Sequence, residues 1–189
     1  MSLARMLWNR VTVHEVVAEF LRSERHKFMQ SISSAEMALI DSPNARDPQA
    51  NHARLRYLYC IRAQLIGEIP PDTQWYEVRN LTDEELSELH VIARCGWDSP
   101  SDKNELLRVA SRLPKQLISR PTVWERPILW GHEKAGPFTI IEGNNRLVAY
   151  AYKGQQSGLM IPALVGLSST PCFFHIFDPP NKIANDLWR

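Results

Sequence analysis

Five consecutive residues, Glu142, Gly143, Asn144, Asn145 and Arg146, bring together the groups needed to hold an anion. With a strand entering this stretch and a helix leaving it, backbone N–H groups, two amides able to cap the helix and a first-turn guanidinium would converge on one point. The chemistry so defined is recognition of a phosphate or a carboxylate. Asparagine side chains do not titrate near neutral pH, so Asn144 and Asn145 offer binding without acid–base work.

The flanking sequence supplies the elements that would position this turn. Residues 138–141 are apolar and strand-like, and residues 127–130 form a matching arm across a turn at 132–137, which predicts a hairpin. Beyond the capping asparagines, a short amphipathic helix with Arg146 in its first turn would end at Lys153 and Gly154. Residues 161–167 read as a strand in which Pro162 marks an edge or a strand start, and residues 172–177 as a last strand.

Upstream, residues 75–79 alternate apolar and charged side chains as a half-buried strand does. Thr82 with Glu85 makes a capping box leading into Leu86, Leu89 and Ala93, residues 95–100 read as a loop, and a further helix is predicted over 102–113. At the N-terminus the apolar residues recur at helical spacing. Thr12 with Glu15 makes another capping box, followed by Val13, Val16, Val17, Phe20 and Leu21 on one helical face. Residues 28–40 are helix-compatible, Asp41-Ser42-Pro43 breaks the chain, and a third helix is predicted over about 52–66, closed by Gly67 and Pro70-Pro71. The chain therefore divides into a helical region, 1–71, and a mixed domain, 72–189.

Composition bounds the function classes. A chain of 189 residues with 44% hydrophobic and 23% charged residues can bury a substantial core, and no apolar run is long enough to cross a bilayer. No membrane partner is expected. Cys60, Cys95 and Cys172 lie far apart without a Cys-x-x-Cys pair, which argues against a disulfide framework or a cysteine-rich zinc site and makes the cytoplasm the expected compartment. The net charge of +1 divides as +2, −2 and +1 over residues 1–70, 71–120 and 121–189, which gives nonspecific nucleic-acid binding no compositional support.

The order strand, turn, strand, Glu-Gly-Asn-Asn-Arg, helix, strand resembles the core of the ParB/sulfiredoxin superfamily. The resemblance is carried by Pro127 to Trp130, Phe138 to Ala149 and Ile161 to Val165. It implies an α+β fold in which a small mixed sheet with flanking helices binds a nucleotide, with Gly143, Asn144, Asn145 and Arg146 around the phosphates. ATP, ADP or CTP with magnesium would be the ligand, and phosphotransfer the reaction if the protein is an enzyme. Sulfiredoxins carry a catalytic cysteine and then a histidine after the glycine. Here those positions are Asn144 and Asn145, so sulfiredoxin activity is excluded. Chromosome-partitioning ParB proteins add an arginine-rich turn and a helix-turn-helix domain. Free-serine kinases of the superfamily, with Asp-Gly-His-His-Arg, are closer in pattern because an acid precedes the glycine.

On this resemblance Glu142 would assist a metal or a substrate hydroxyl, as the one catalytic candidate; the plainer account is a strand-end acid facing a helix N-terminus. Arg146 would bind phosphate or pair with Glu142. Glu125 and Arg126, just before the strand, would line the same pocket or be surface charges, and Trp130 would stack on a nucleobase or belong to the core. His132, His175 and Asp178 lack the partners a zinc site needs, so no metal site is assigned. Arg54, Arg56 and Arg62 form a modest basic strip, read either as a nucleic-acid contact or as a solvated helix face. The N-terminal helices could pack on the domain or pair with a second copy. The function expected is that of a nucleotide- or phosphate-binding protein, a phosphotransferase if an enzyme; the alternative is a noncatalytic interaction module, DNA-associated, phage-derived or defence-related, that keeps the fold without the reaction.

Overall fold

The computed structural model describes residues 8–25, 32–41, 43–79, 81, 89, 126–136, 138–143, 146–147 and 161–170. These form an α+β arrangement of three helices and a mixed five-stranded sheet. In chain order the elements are β1 (Trp8–Val11), α1 (Val13–Ser23), α2 (Ser34–Asp41), α3 (Pro48–Glu68), β2 (Gln74–Val78), β3 (Ile128–Gly131), β4 (Thr139–Glu142) and β5 (Ala163–Leu167). The helices expected over 82–93 and 102–113, the loop at 95–100, the end of the helix after Leu147 and the strand at 172–177 lie outside the described residues.

The strand order is β1-β2-β5-β3-β4, with β5 parallel to β3 and every other neighbouring pair antiparallel. The expected hairpin forms from β3 and β4, with a register shift between Ile128 and Leu129. Strand β5 begins directly after Pro162, as a strand start allows, and lies inside the sheet between β2 and β3 instead of at its edge. Ala163 to Gly166 are all buried, the signature of a strand covered on both faces. Gly166 faces Trp75 in register, and a Cβ there would come within 2.8 Å of the Trp75 ring and of Thr73. A glycine at this point lets the indole lie across β5.

Strand β1 precedes the Thr12 box at which the first helix is expected to start, and the sequence alone assigns no element there. Trp8 and Val11 are three apart, which suits a helix face, yet Thr12 adopts an extended backbone (φ −83°, ψ 154°) and caps α1, so the residues before it run straight. They pair with Val78 to Trp75 of β2, and that pairing decides their conformation. The segment 1–71 thus supplies a strand of the sheet as well as three helices.

Each helix start follows from side-chain capping. Thr12 donates its N–H to Glu15 Oε2 at 2.6 Å and accepts the Glu15 N–H at 3.3 Å, the reciprocal pattern expected of the box. Ser33 and Glu36 repeat it ahead of α2, which begins at Ser34 within the helix-compatible stretch 28–40, whose residues 28–31 lie outside the described residues. Asp47 accepts from the N–H groups of Gln49 and Ala50, with Pro48 as first residue, so α3 begins four residues before the expected 52. It also runs through Gly67 to Glu68, with non-helical angles at Arg62.

The sheet separates two apolar clusters. Val16, Val17, Phe20 and Leu21 of α1, with Leu58 and Leu65 of α3, pack on Trp75, Ile128, Trp130, Ile141 and Leu164. On the other face Val78, Leu129, Ile140, Ala163 and Val165 pack with Leu81, Leu89, Phe138, Leu147 and Ile161. Where charged side chains meet the sheet, Glu77 and Glu142 are paired with arginines, and Lys134 lies over the rings of Trp8 and Tyr76.

Candidate functional site

Glu142 is the last residue of β4, and Gly143 turns the chain with φ +96°, a region that side chains with a Cβ rarely adopt. A Cβ on Gly143 would lie 2.9 Å from Pro127 Cβ, so the glycine is also fixed by close packing against the start of β3. Arg146 and Leu147 are helical, and the Leu147 N–H donates to the Gly143 carbonyl at 2.9 Å. The expected strand, glycine turn and helix start are therefore present. Asn144 and Asn145 lie outside the described residues.

The turn is occupied by its own side chains. Arg146 Nη2 donates to Glu142 Oε1 at 3.4 Å, and Ser23 Oγ at the end of α1 donates to the same oxygen at 2.6 Å. The Arg146 side chain is only 15% exposed. Of the two sequence accounts of this arginine, the pairing with Glu142 is the one formed. Glu142 in turn joins α1 to the sheet.

Arg126 and Glu125 were the flanking candidates, and Glu125 lies outside the described residues. Arg126 is directed at Glu19 and Glu77. Its backbone N–H donates to Glu19 Oε1 at 2.7 Å, its Nη2 to Glu19 Oε2 at 2.9 Å and its Nη1 to Glu77 Oε1 at 2.6 Å. Burial works to lower the Arg126 pKa, but the hydrogen bonds and charges of Glu19 and Glu77 outweigh it and hold the guanidinium above its ordinary value. Arg126 is thus engaged by two carboxylates, of Glu19 and Glu77. Trp130 is 1% exposed and packs edge-on to His132 at 4.9 Å, which places it in the core and corrects the idea of a nucleobase stacking on it.

Neighbouring pairs extend the arrangement. Arg22 lies 3.5 Å from Glu19, and Arg62, at the irregularity in α3, donates to Glu24 at 2.7 Å. Four carboxylates, of Glu19, Glu24, Glu77 and Glu142, are thus matched by four guanidiniums, of Arg22, Arg62, Arg126 and Arg146. Sequence reasoning did not find Glu19, Ser23 or Glu77. Glu19 sits among the apolar residues of α1, a local irregularity visible in the sequence, but its partner is 107 positions away.

The basic strip proposed on α3 does not form. Arg54 is 1% exposed and donates to the Leu39 carbonyl at 2.8 Å, to the Asn44 carbonyl and to Asn51, and Arg62 is held by Glu24. Of the three, Arg56 alone is exposed.

Chemically the cluster can hold and orient, and its carboxylates are engaged as acceptors. Among the described residues no group of three or more His, Cys, Asp or Glu side chains could hold a metal ion, and no helix is long and apolar enough to cross a membrane. Comparison with protein-family models, with curated proteins and with solved structures finds no match to the chain. Fold and site define an α+β protein with a charge-balanced polar joint between its first helix and its sheet.

Proposed function

We propose that this chain is a noncatalytic interaction module, in which the turn from Glu142 to Arg146 is a structural joint instead of a reaction centre. The observation that carries this reading is the pairing of Arg146 with Glu142 while Ser23 holds the same carboxylate. A phosphate site needs positive charge in excess, and around this joint each guanidinium among the described residues faces a carboxylate. The asparagines at 144 and 145 add no titratable group. Cytoplasmic residence accords with the scattered cysteines.

A second reading retains the ParB/sulfiredoxin resemblance and a bound nucleotide. The positive φ of Gly143 and the helical turn that opens beside it favour that reading. A phosphate would then take Arg146 by displacing Glu142, whose 3.4 Å contact is longer than a strong charge-assisted bond. Titration calorimetry with ATP, ADP and CTP plus magnesium separates the two. The interaction-module reading expects no saturable heat from wild type or from Glu142→Gln. Saturable binding by wild type that is lost in folded Arg146→Ala overturns it in favour of the nucleotide reading.

A further inference from the structure

Between α1, α3 and the sheet lies a cavity of about 310 Å³. Val17 forms one wall, Leu58 the other and Trp75 the floor, all three nearly inaccessible to solvent. It opens where its lining becomes exposed, at Val13 and Pro71; Val13 is 48% exposed although it is a large apolar residue in the first turn of α1. Apart from Thr73 and Trp75 the lining side chains are pure hydrocarbon, and Thr73 Oγ1 already donates to the Pro70 carbonyl at 2.6 Å. Water entering this space would find few partners, so an apolar guest would displace it favourably.

The geometry points to a binding site for an uncharged, predominantly hydrocarbon small molecule in this cavity, a site independent of the polar joint at Glu142. Size supports it, since the volume is roughly twice that of an apolar protein cavity known to hold benzene and falls at the small end of ligand pockets. Packing supports it too, because the lining side chains lack contact partners across the void and a guest would restore them. The charge next in sequence to the lining residues Pro71 and Thr73 sets the class of guest. Asp72, between Pro71 and Thr73, is exposed, and its carboxylate is fixed by Ser168 Oγ at 2.6 Å and Ser169 Oγ at 2.9 Å. Among the described residues no cation lines the cavity. A carboxylate-headed guest would meet repulsion from Asp72 without compensation, whereas an alcohol or a neutral ring would not.

The test uses the full chain with aminoanthracene as a neutral fluorescent probe, and decanol and decanoate as competitors of equal chain length. Wild type is expected to bind the probe saturably, to release it to decanol with decanoate about tenfold weaker or more, and to melt a few degrees higher with decanol. Val17→Phe, which puts a ring into the cavity, and Val13→Phe, which narrows the half-exposed mouth, are each expected to lose about tenfold or more in probe affinity while still melting cooperatively. If Val17→Phe fails to fold, Val13→Phe carries the test. Absence of probe binding to folded wild type overturns the site, as does unchanged affinity in the folded variants. Equal competition by decanoate and decanol overturns the assignment of an uncharged guest.

Discussion

Arg126 holds Glu19 through both its backbone and its side chain, with the N–H on Oε1 at 2.7 Å and Nη2 on Oε2 at 2.9 Å. Glu19 is 1% exposed, so this carboxylate has traded water for Arg126 and, more distantly, Arg22. Removing one member leaves a buried charge without its main partner, which costs about 3–5 kcal/mol, whereas replacing both by apolar groups is often close to neutral. Arg126→Met is therefore expected to lower unfolding free energy in urea by about that amount. Glu19→Leu combined with Arg126→Met should recover most of the loss. A double variant no more stable than Arg126→Met would show that the pair itself does not set the cost.

Gly143 is required twice, by its φ of +96° and by the 2.9 Å approach of a Cβ to Pro127. Gly143→Ala is expected to destabilise by about 1–3 kcal/mol through backbone strain, with a further cost from displacing Pro127. Equilibrium denaturation measures it, and a stability equal to wild type would contradict the backbone described for this turn.

How much of this was legible in the sequence depends on the distance over which each feature is decided. The capping box at Thr12 and Glu15, the β3–β4 hairpin and the glycine turn are local, and their residue types announce them. Strand β1 was hidden because Trp8 and Val11 fit a helix period and only pairing with β2 makes them extended. Ser33 and Glu36 carry the same box signature as Thr12 and Glu15, so the start of α2 was available to the same rule. The joint was half legible. Glu142, Gly143 and Arg146 lie together in sequence, but Ser23 reaches Glu142 across 119 positions and no local pattern encodes that.

Acid should weaken the contact of α2 with α3. The Tyr57 hydroxyl, followed by the N–H and hydroxyl of Ser33, holds the Glu36 carboxyl down at about 2 against an ordinary 4.5. A depressed folded-state pKa contributes stability that is complete above the unfolded value and is lost as pH falls through the folded one. Melting temperature is thus expected to fall as pH is lowered from about 4.5 to about 2, and to fall less in Tyr57→Phe. Identical acid dependence in the two proteins would refute the assignment to this contact.

Arg54 decides whether α3 presents a basic surface or an internal brace. Its Nε donates to the Leu39 carbonyl at the end of α2, and its terminal nitrogens reach Asn51 and the Asn44 carbonyl in the connection to α3. Burial lowers its pKa, and the charge of Asp47 opposes that fall. Lysine cannot copy this fork, because one ammonium offers donors from a single atom whereas the guanidinium spreads them over three. Arg54→Lys should therefore cost about 1–3 kcal/mol by leaving buried carbonyls without donors, and Arg54→Leu at least as much. The charge-preserving variant is the informative one. If Arg54 served as a surface cation, Arg54→Lys would keep both stability and any salt-sensitive DNA binding measured by anisotropy. As a brace, it should lose stability in Arg54→Lys, while the exposed Arg56→Gln stays within about 0.5 kcal/mol of wild type.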